Sequence, residues 1–251
     1  MTASTPAEVC FFERDPNCGL LRRAVTEAIG TLMLMFAATG SAVIAASLGA
    51  PNAAALLLQA FAVSGALVAL IIAFGAVSGG HFNPIITAGQ WIGGERTLRC
   101  TIAYIVGQMI GAVAGAVLAR CIFAVPAIPA IPVGPAGWAF AGSELVATAG
   151  LMVIVFGCSR ARRSEAGPFA VGAWLVGMIM SLPSSYANPA LVVGAIFAVG
   201  PIKIALGTIA LFIPAQVIGG LVARAIVAFA YGGTRAERLQ PEIVALSPHE
   251  D

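Results

Sequence analysis

Long apolar segments separated by short polar stretches dominate the pattern of the chain. In a bilayer about 20 helical residues cross the hydrocarbon core, and most of these segments reach that length. The strict apolar-polar alternation of a membrane β-barrel is absent. The pattern predicts an all-α integral membrane protein with six transmembrane spans: Ala24 to Gly49, Ala53 to Gly75, Leu98 to Arg120, Trp138 to Cys158, Gly167 to Leu182 and Lys203 to Tyr231.

Two shorter apolar segments, after the second and fifth spans, are too short to cross. They run from Pro84 to Trp91 and from Pro189 to about Phe197, and an Asn-Pro pair opens each. Proline suits the first helical position, and asparagine before it can cap the free N–H groups. Interrupted segments at corresponding places in two halves of a membrane protein indicate a transport site. We therefore predict two re-entrant half-helices.

An internal repeat supports this interpretation. The signatures Glu-x-x-x-Thr, Asn-Pro and Gln-x-x-Gly occur twice in the same order, starting at Glu27, Asn83, Gln108 and at Glu144, Asn188, Gln216. Three spans per half make the second half inverted, which places a shared site near the midplane. We predict a channel domain at 21–231, with repeats at about 21–120 and 138–231, and tails at 1–20 and 232–251.

Composition and charge agree with a membrane protein. The chain is 59% hydrophobic and 10% charged, and its net charge of +2 indicates no nucleic-acid partner. Basic residues gather on one side of the predicted spans, which by the positive-inside rule puts both termini in the cytoplasm. We expect the protein in the plasma (inner) membrane. The residues on that side are Arg14, Arg22, Arg23, Arg96, Arg99, Arg160, Arg162, Arg163, Arg235 and Arg238. Arg120 and Lys203 lie opposite, and Arg224 lies within span six. The dominance of Arg over Lys and the abundance of Ala and Gly suggest a bacterial source.

The segment Ser-Gly-Gly-His-Phe-Asn-Pro-Ile, from Ser78 to Ile85, resembles the first signature loop of the aquaporin (major intrinsic protein) family. Asn188-Pro189-Ala190 resembles the second. The resemblance implies an hourglass of six tilted helices plus two half-helices, a pore in each protomer, and usually a homotetramer in the lipid bilayer. It implies a channel rather than an enzyme, and the chain shows no metal or cofactor motif.

The two half-helices predict the neck of a pore. Their N-termini, each with about half a positive charge, would meet near the midplane, where the Asn amides can donate to a passing neutral solute. Ile85 replaces the usual Ala and is expected to add bulk beside this neck. The predicted neck residues are Asn83, Pro84, Ile85, Asn188, Pro189 and Ala190. His81 is predicted to line the cytoplasmic mouth, with a pH gate as the alternative.

Two acids inside spans, Glu27 and Glu144, leave two interpretations open. An intramembrane acid is a functional candidate by default, including a proton relay. Irregular backbone at membrane depth also needs buried partners, and two symmetric carboxylates can supply them to the two loops. The family resemblance implies the second role, a loop scaffold.

The predicted outer selectivity filter departs from the family. The position three residues after the second Asn usually holds Arg, and here it is Leu191. Ungapped counting adds Val63 and Ser185, and either Ile179, which we favour, or Val176. Such a ring is apolar and uncharged, so it favours amphipathic solutes.

We expect a passive channel for small neutral solutes such as polyols, urea-like molecules or metalloid hydroxides. Filters without Arg resemble a bacterial subgroup associated with arsenic resistance, which points to arsenite. Two alternatives remain: a strict water channel, and an ion-coupled secondary transporter, since inverted repeats and broken helices also occur there.

Overall fold

The computed structural model describes residues 18–123, 137–161, 163 and 165–232. The described residues are all-helical, with eight α-helices in the order α1 Leu20–Ser47, α2 Asn52–Ser78, α3 Pro84–Ile92, α4 Leu98–Phe123, α5 Trp138–Arg160, α6 Gly167–Ser181, α7 Pro189–Phe197 and α8 Ile209–Tyr231. Most of the two predicted tails and of the Pro-rich loop between the repeats lies outside the described residues.

Five of these helices are long and apolar enough to cross a membrane: α1, α2, α4, α5 and α8 with the turn before it. The fifth predicted span, α6, has only 15 residues, so it rises about 22 Å and is shorter than a bilayer core of about 30 Å. The chain continues from Ser181 towards Asn188 without helix. Because Ala187 and Asn188 contact the first pore loop, this stretch leads back into the pore and does not extend α6 across the bilayer.

The last span begins later than predicted. Helix α8 starts at Ile209 rather than Lys203, after two 3-10 turns at Gly200–Ile202 and Leu206–Thr208. Lys203 and Ala205 have extended backbone angles. Most of the connecting residues are apolar, and Ile202 and Ile204 are buried in the core. This apolar character makes their sequence hard to tell from that of a helix.

The two repeats pack in the same way. Helix α1 packs against α4, as α5 packs against α8, and α2 lies against α6 between the halves. Half-helix α7 reaches across to α4 of the first repeat, and α3 contacts α8 of the second. Each half therefore supplies one half-helix to the other half's wall.

Glycines let α4 lie directly on α1. A Cβ at Gly107, Gly111 or Gly115 would lie 2.6, 2.1 or 2.2 Å from the carbonyl oxygens of Ala24, Ala28 and Leu32 respectively. Backbone contact of this kind is how helices associate in lipid, where apolar side chains gain little from leaving the tails.

We expect Gly111→Ala to destabilise the protein by about 3 kcal/mol, because the neighbouring backbone cannot yield to the new methyl group. Gly65→Ala in α2 is the matched control, since nothing lies within 4 Å of its Cβ. Thermal unfolding in detergent measures the difference. Equal unfolding temperatures for the two variants would contradict the close α1–α4 contact.

Candidate functional site: a pore between two half-helices

The N-termini of α3 and α7 are built identically. Asn83 and Asn188 are the N-caps in extended conformation, and Pro84 and Pro189 follow at the first helical positions. The Oδ1 atom of each Asn accepts from the backbone N–H two residues on, at 3.0 Å. The local sequence alone dictates this cap, since Asn caps and Pro opens helices well.

Each Asn also bonds to the opposite loop. The Nδ2 atom of Asn83 donates to the carbonyl oxygen of Ala187 at 2.7 Å, and that of Asn188 donates to the carbonyl of Phe82 at 2.8 Å. An amide NH₂ carries two hydrogens, so each Asn keeps one donor beyond this crossed pair. The two half-helices thus meet through their first residues.

Glu27 organises the first loop from α1. One carboxylate oxygen accepts from the Ser78 hydroxyl at 2.6 Å and the His81 N–H at 3.0 Å. The other accepts from the Phe82 N–H at 2.6 Å and Gln108 Nε2 at 2.8 Å. Glu27 is fully buried.

Glu144 repeats this arrangement in the second loop. It accepts from the Ser184 hydroxyl at 2.5 Å, the Tyr186 and Ala187 N–H groups at 2.9 and 2.8 Å, and Gln216 Nε2 at 2.7 Å. The serines that complete both sets were missed in the sequence, although a Ser lies five or four residues before each Asn. With all four donors directed at it, each carboxylate holds its loop in place.

The backbone held in this way is unusual. Phe82 and Ala187, each directly before an Asn, have φ values of 47° and 46°. Non-glycine residues in this left-handed region cost free energy and persist where surrounding contacts fix them. The carboxylate bonds to the N–H groups of these same residues supply that fixation.

A cavity of about 250 Å³ runs past both Asn residues. All four residues predicted for the filter, Val63, Ile179, Ser185 and Leu191, line it, as does His81, whereas Val176 is not among the lining residues. His81 is buried, its Nδ1 atom lies 3.0 Å from the Thr87 hydroxyl, and its Nε2 atom has no partner among the described residues. Glu27 and Glu144 do not line the cavity.

The side chain of Ile85 was expected beside the neck of the pore, but it points towards α8. Its side chain packs against α8, where a Cβ on Gly220 would be 2.9 Å from Ile85 Cγ2, and it lines a separate cavity. The glycine accepts the extra volume, so Ile85 leaves the neck unobstructed. Pro84, Pro189 and Ala190 are buried at the starts of the half-helices and shape the neck through the backbone.

The end of the cavity beside the second pore loop contains residues that the sequence analysis did not select. Tyr186 lines the cavity, its hydroxyl donates to the Ile202 carbonyl at 2.7 Å, and its ring lies 6.0 Å from that of Phe212. Pro201 and Ile202 line the cavity beside it. Tyr186 therefore ties the connection before α8 to the second pore loop.

Tyr186→Phe should lower stability by about 1 kcal/mol, because it removes this hydrogen bond and keeps the ring. With the tie gone, Pro201 and Ile202 are freer to move, and we expect larger polyols to pass faster. Vesicle shrinkage in a polyol size series measures the flux. Tyr231→Phe, at the far end of α8, is the control. Equal stability and equal polyol flux in both variants would show that the bond from Tyr186 to Ile202 does not hold the connection before α8.

Two half-helices that meet at their N-termini across one continuous cavity define a transmembrane channel. The comparisons with known proteins agree. A profile of the family described as "Major intrinsic protein" matches residues 16–186. The protein named "Aquaglyceroporin AqpS" of Rhizobium meliloti (strain 1021) is 34% identical over 208 residues, 82% of this chain and 89% of that protein.

A second relative, "Aquaporin Z" of Rhodopseudomonas palustris (strain ATCC BAA-98 / CGA009), is 32% identical over 219 residues, covering 79% of this chain and 88% of its own. The crystal structure of the aquaglyceroporin from Plasmodium falciparum superposes with a TM-score of 0.70 at 16% identity, over 83% of this chain and 95% of that one. The chain belongs to the major intrinsic protein family and is a multi-pass membrane protein with the aquaporin fold.

Proposed function

We propose that this channel passes small neutral solutes larger than water, such as polyols, urea-like molecules or metalloid hydroxides, down their gradients. One observation carries the proposal: among the described residues lining the pore cavity there is no Arg, Lys, Asp or Glu. The position where an arginine was expected holds Leu191, which is 5% exposed. The filter therefore offers neither a fixed cationic donor nor a charge that a polar solute must match.

The walls of the cavity are of two kinds, which suits an amphipathic solute. Apolar side chains come from α1, α2, α5 and α6. Polar groups come from the two pore loops around Asn83 and Asn188, together with Gln59 of α2. A polyol can turn hydroxyl groups to the loops and C–H groups to the opposite wall. An apolar constriction also hinders bare water, because water gains no hydrogen bonds there.

The neck supplies the rejection of cations. Both half-helix N-termini point at it, each with about half a positive charge from the helix dipole. A neutral solute accepts the remaining Asn hydrogens, whereas a cation meets only donors. Both intramembrane acids accept four hydrogen bonds and lie outside the cavity lining, so neither is placed to carry an ion through the described part of the pore.

The names of the relatives point to two kinds of transported molecule, small solutes and water. "Aquaglyceroporin" favours the solute channel, while "Aquaporin Z" and the plant protein "Probable aquaporin TIP2-2" favour water. Water is thus the second candidate. The lack of a filter arginine is the feature of this chain that favours the first.

We further propose that the protein lies in the plasma membrane of a bacterium as a homotetramer, with both termini in the cytoplasm. The face that carries Arg99, Arg160 and Arg163, here called the arginine side, is then cytoplasmic. Labelling of single introduced cysteines in whole cells tests the orientation. Reaction of a cysteine at the arginine side with an impermeant reagent from outside would reverse it.

Reconstituted vesicles test the cargo. Light scattering after osmotic shock should show fast entry of glycerol, urea or arsenite relative to empty vesicles. Ile179→Trp, which places a large ring in the cavity, should abolish that entry, and Ile218→Trp on the half-exposed surface of α8 should not. Fast water flux with no solute entry would leave the strict water channel instead.

A further inference from the structure

A second cavity, of about 200 Å³, lies on the arginine side between α3, α5 and α8. Its walls are apolar, with Met152, Phe156 and Leu221 among them, and Arg160, Arg224 and Glu95 lie at its edge. Ile92 and Leu221, which also line it, are 46% and 51% exposed. The cavity therefore borders the surface that faces lipid, and it is separate from the pore.

The two repeats differ at this cavity, so it has no counterpart that the internal repeat would predict. In the second repeat, Gly194 of α7 lies on the backbone of α4, where a Cβ would be 3.0 Å from the Ala112 carbonyl oxygen. In the first repeat, the corresponding Gly89 of α3 faces Met152 and the Phe156 ring instead. Side chains thus separate α3 from its neighbours and leave space that α7 does not leave.

The two arginines at the edge of this cavity have no hydrogen-bond or ion-pair partner among the described residues. Arg224 lies seven residues before the end of α8, about 10 Å along the helix axis. Neither it nor Arg160, the last residue of α5, forms a hydrogen bond or ion pair within the described parts of the chain, and both are exposed. Cationic side chains at membrane depth are costly unless paired.

Glu95 carries one negative charge against two positive charges in this lining, so it cannot neutralise both arginines. An occupant with a negative end and a long apolar part fits both the edge and the walls. The guanidinium fork matches phosphate oxygens in a bidentate manner. Trp91 of α3, 44% exposed, adds an aromatic residue of the kind that lies at headgroup level.

We propose that this cavity binds an anionic phospholipid from the leaflet on the arginine side. Its phosphate pairs with Arg160 and Arg224, and part of an acyl chain fills the space between α3 and α8. Because this lipid lies against Ile85 and Gly89, it supports the half-helix α3 from behind. The site depends on the membrane location of the chain and not on which solute the pore carries.

Thermal unfolding in dodecyl maltoside tests the site. Adding dioleoylphosphatidylglycerol to the delipidated protein should raise the unfolding temperature by about 5 °C more than dioleoylphosphatidylcholine does. The double variant Arg160→Gln, Arg224→Gln should lose this difference. Arg99→Gln, which removes an exposed charge on the same side outside the cavity, should keep it.

Three further variants guard against simple misfolding. Arg160→Lys with Arg224→Lys retains the charges and should retain most of the shift. Ala228→Leu narrows the cavity without changing charge and should reduce the shift, whereas Ala230→Leu, outside the lining, should not. An equal shift with both lipids, or a full shift in the Gln double variant, overturns the proposal. A full shift from glycerol 3-phosphate alone would also overturn it, because it would show a phosphate site without an acyl chain.

Discussion

Leu191→Arg is expected to lower glycerol and arsenite flux at least tenfold while water still passes. Leu191 lies in the first turn of α7 and lines the pore cavity beside Val63 and Ile179. A guanidinium there would reduce the width of an uncharged ring and bind water or carbonyl groups in it. Stopped-flow light scattering on vesicles with matched protein content measures both fluxes.

The neighbouring Val192→Arg is not a fair control, because Val192 is fully buried and the variant would misfold. Leu191→Met is the matched change, since it preserves apolar character and approximate volume. It should leave both fluxes within about twofold. An unchanged solute profile in Leu191→Arg, with normal stability, would mean that Leu191 is outside the constriction.

Glu144→Ala should destabilise the protein by about 3–5 kcal/mol and abolish flux. The substitution leaves four donors without an acceptor, two of them buried and two half-buried. Each buried orphan costs about 1–3 kcal/mol before relaxation. The strained backbone at Ala187 would also lose the bond that holds it, so Asn188 would leave the neck. Unfolding temperature in detergent and vesicle flux report the two effects.

Glu27→Ala should behave in nearly the same way, since its donors correspond group for group. Glu165→Gln, an exposed carboxylate on the arginine side, is the control and should change neither measurement. If loss of either acid removed a gradient-driven uptake and left stability intact, the carboxylate would be a proton carrier rather than a scaffold.

Much of this architecture can be predicted from the sequence because membranes impose simple constraints. Helix lengths follow from bilayer thickness, and the Asn-Pro pairs fix the starts of α3 and α7 through a local cap. The end of α6 is different. Ile179 falls on one face with Pro168, Val171 and Leu175, as helical spacing from Gly172 indicates. Counting back from Asn188 leads to Val176 because it crosses a non-helical loop, whose length the sequence does not fix.

What the sequence could not supply are contacts between distant segments. Ile85 was expected beside the neck, and only its contact with Gly220 of α8 shows where the side chain packs. Tyr186 looks like an ordinary loop residue until its hydroxyl is found on Ile202. The late start of α8 has the same origin, since Ile202 and Ile204 are apolar because they pack in the core and not because they form helix.

The crossed bonds between Asn83 and Ala187 and between Asn188 and Phe82 have a consequence for biogenesis. Their partners are 104 and 106 residues apart. At a synthesis rate of about 5–20 residues per second, the first loop waits roughly 5–20 s for its counterpart. During that interval the incomplete chain has only one of the two loops, so it cannot form the neck of the pore. A chain whose synthesis stops between the repeats therefore does not leave a partly open pore in the membrane.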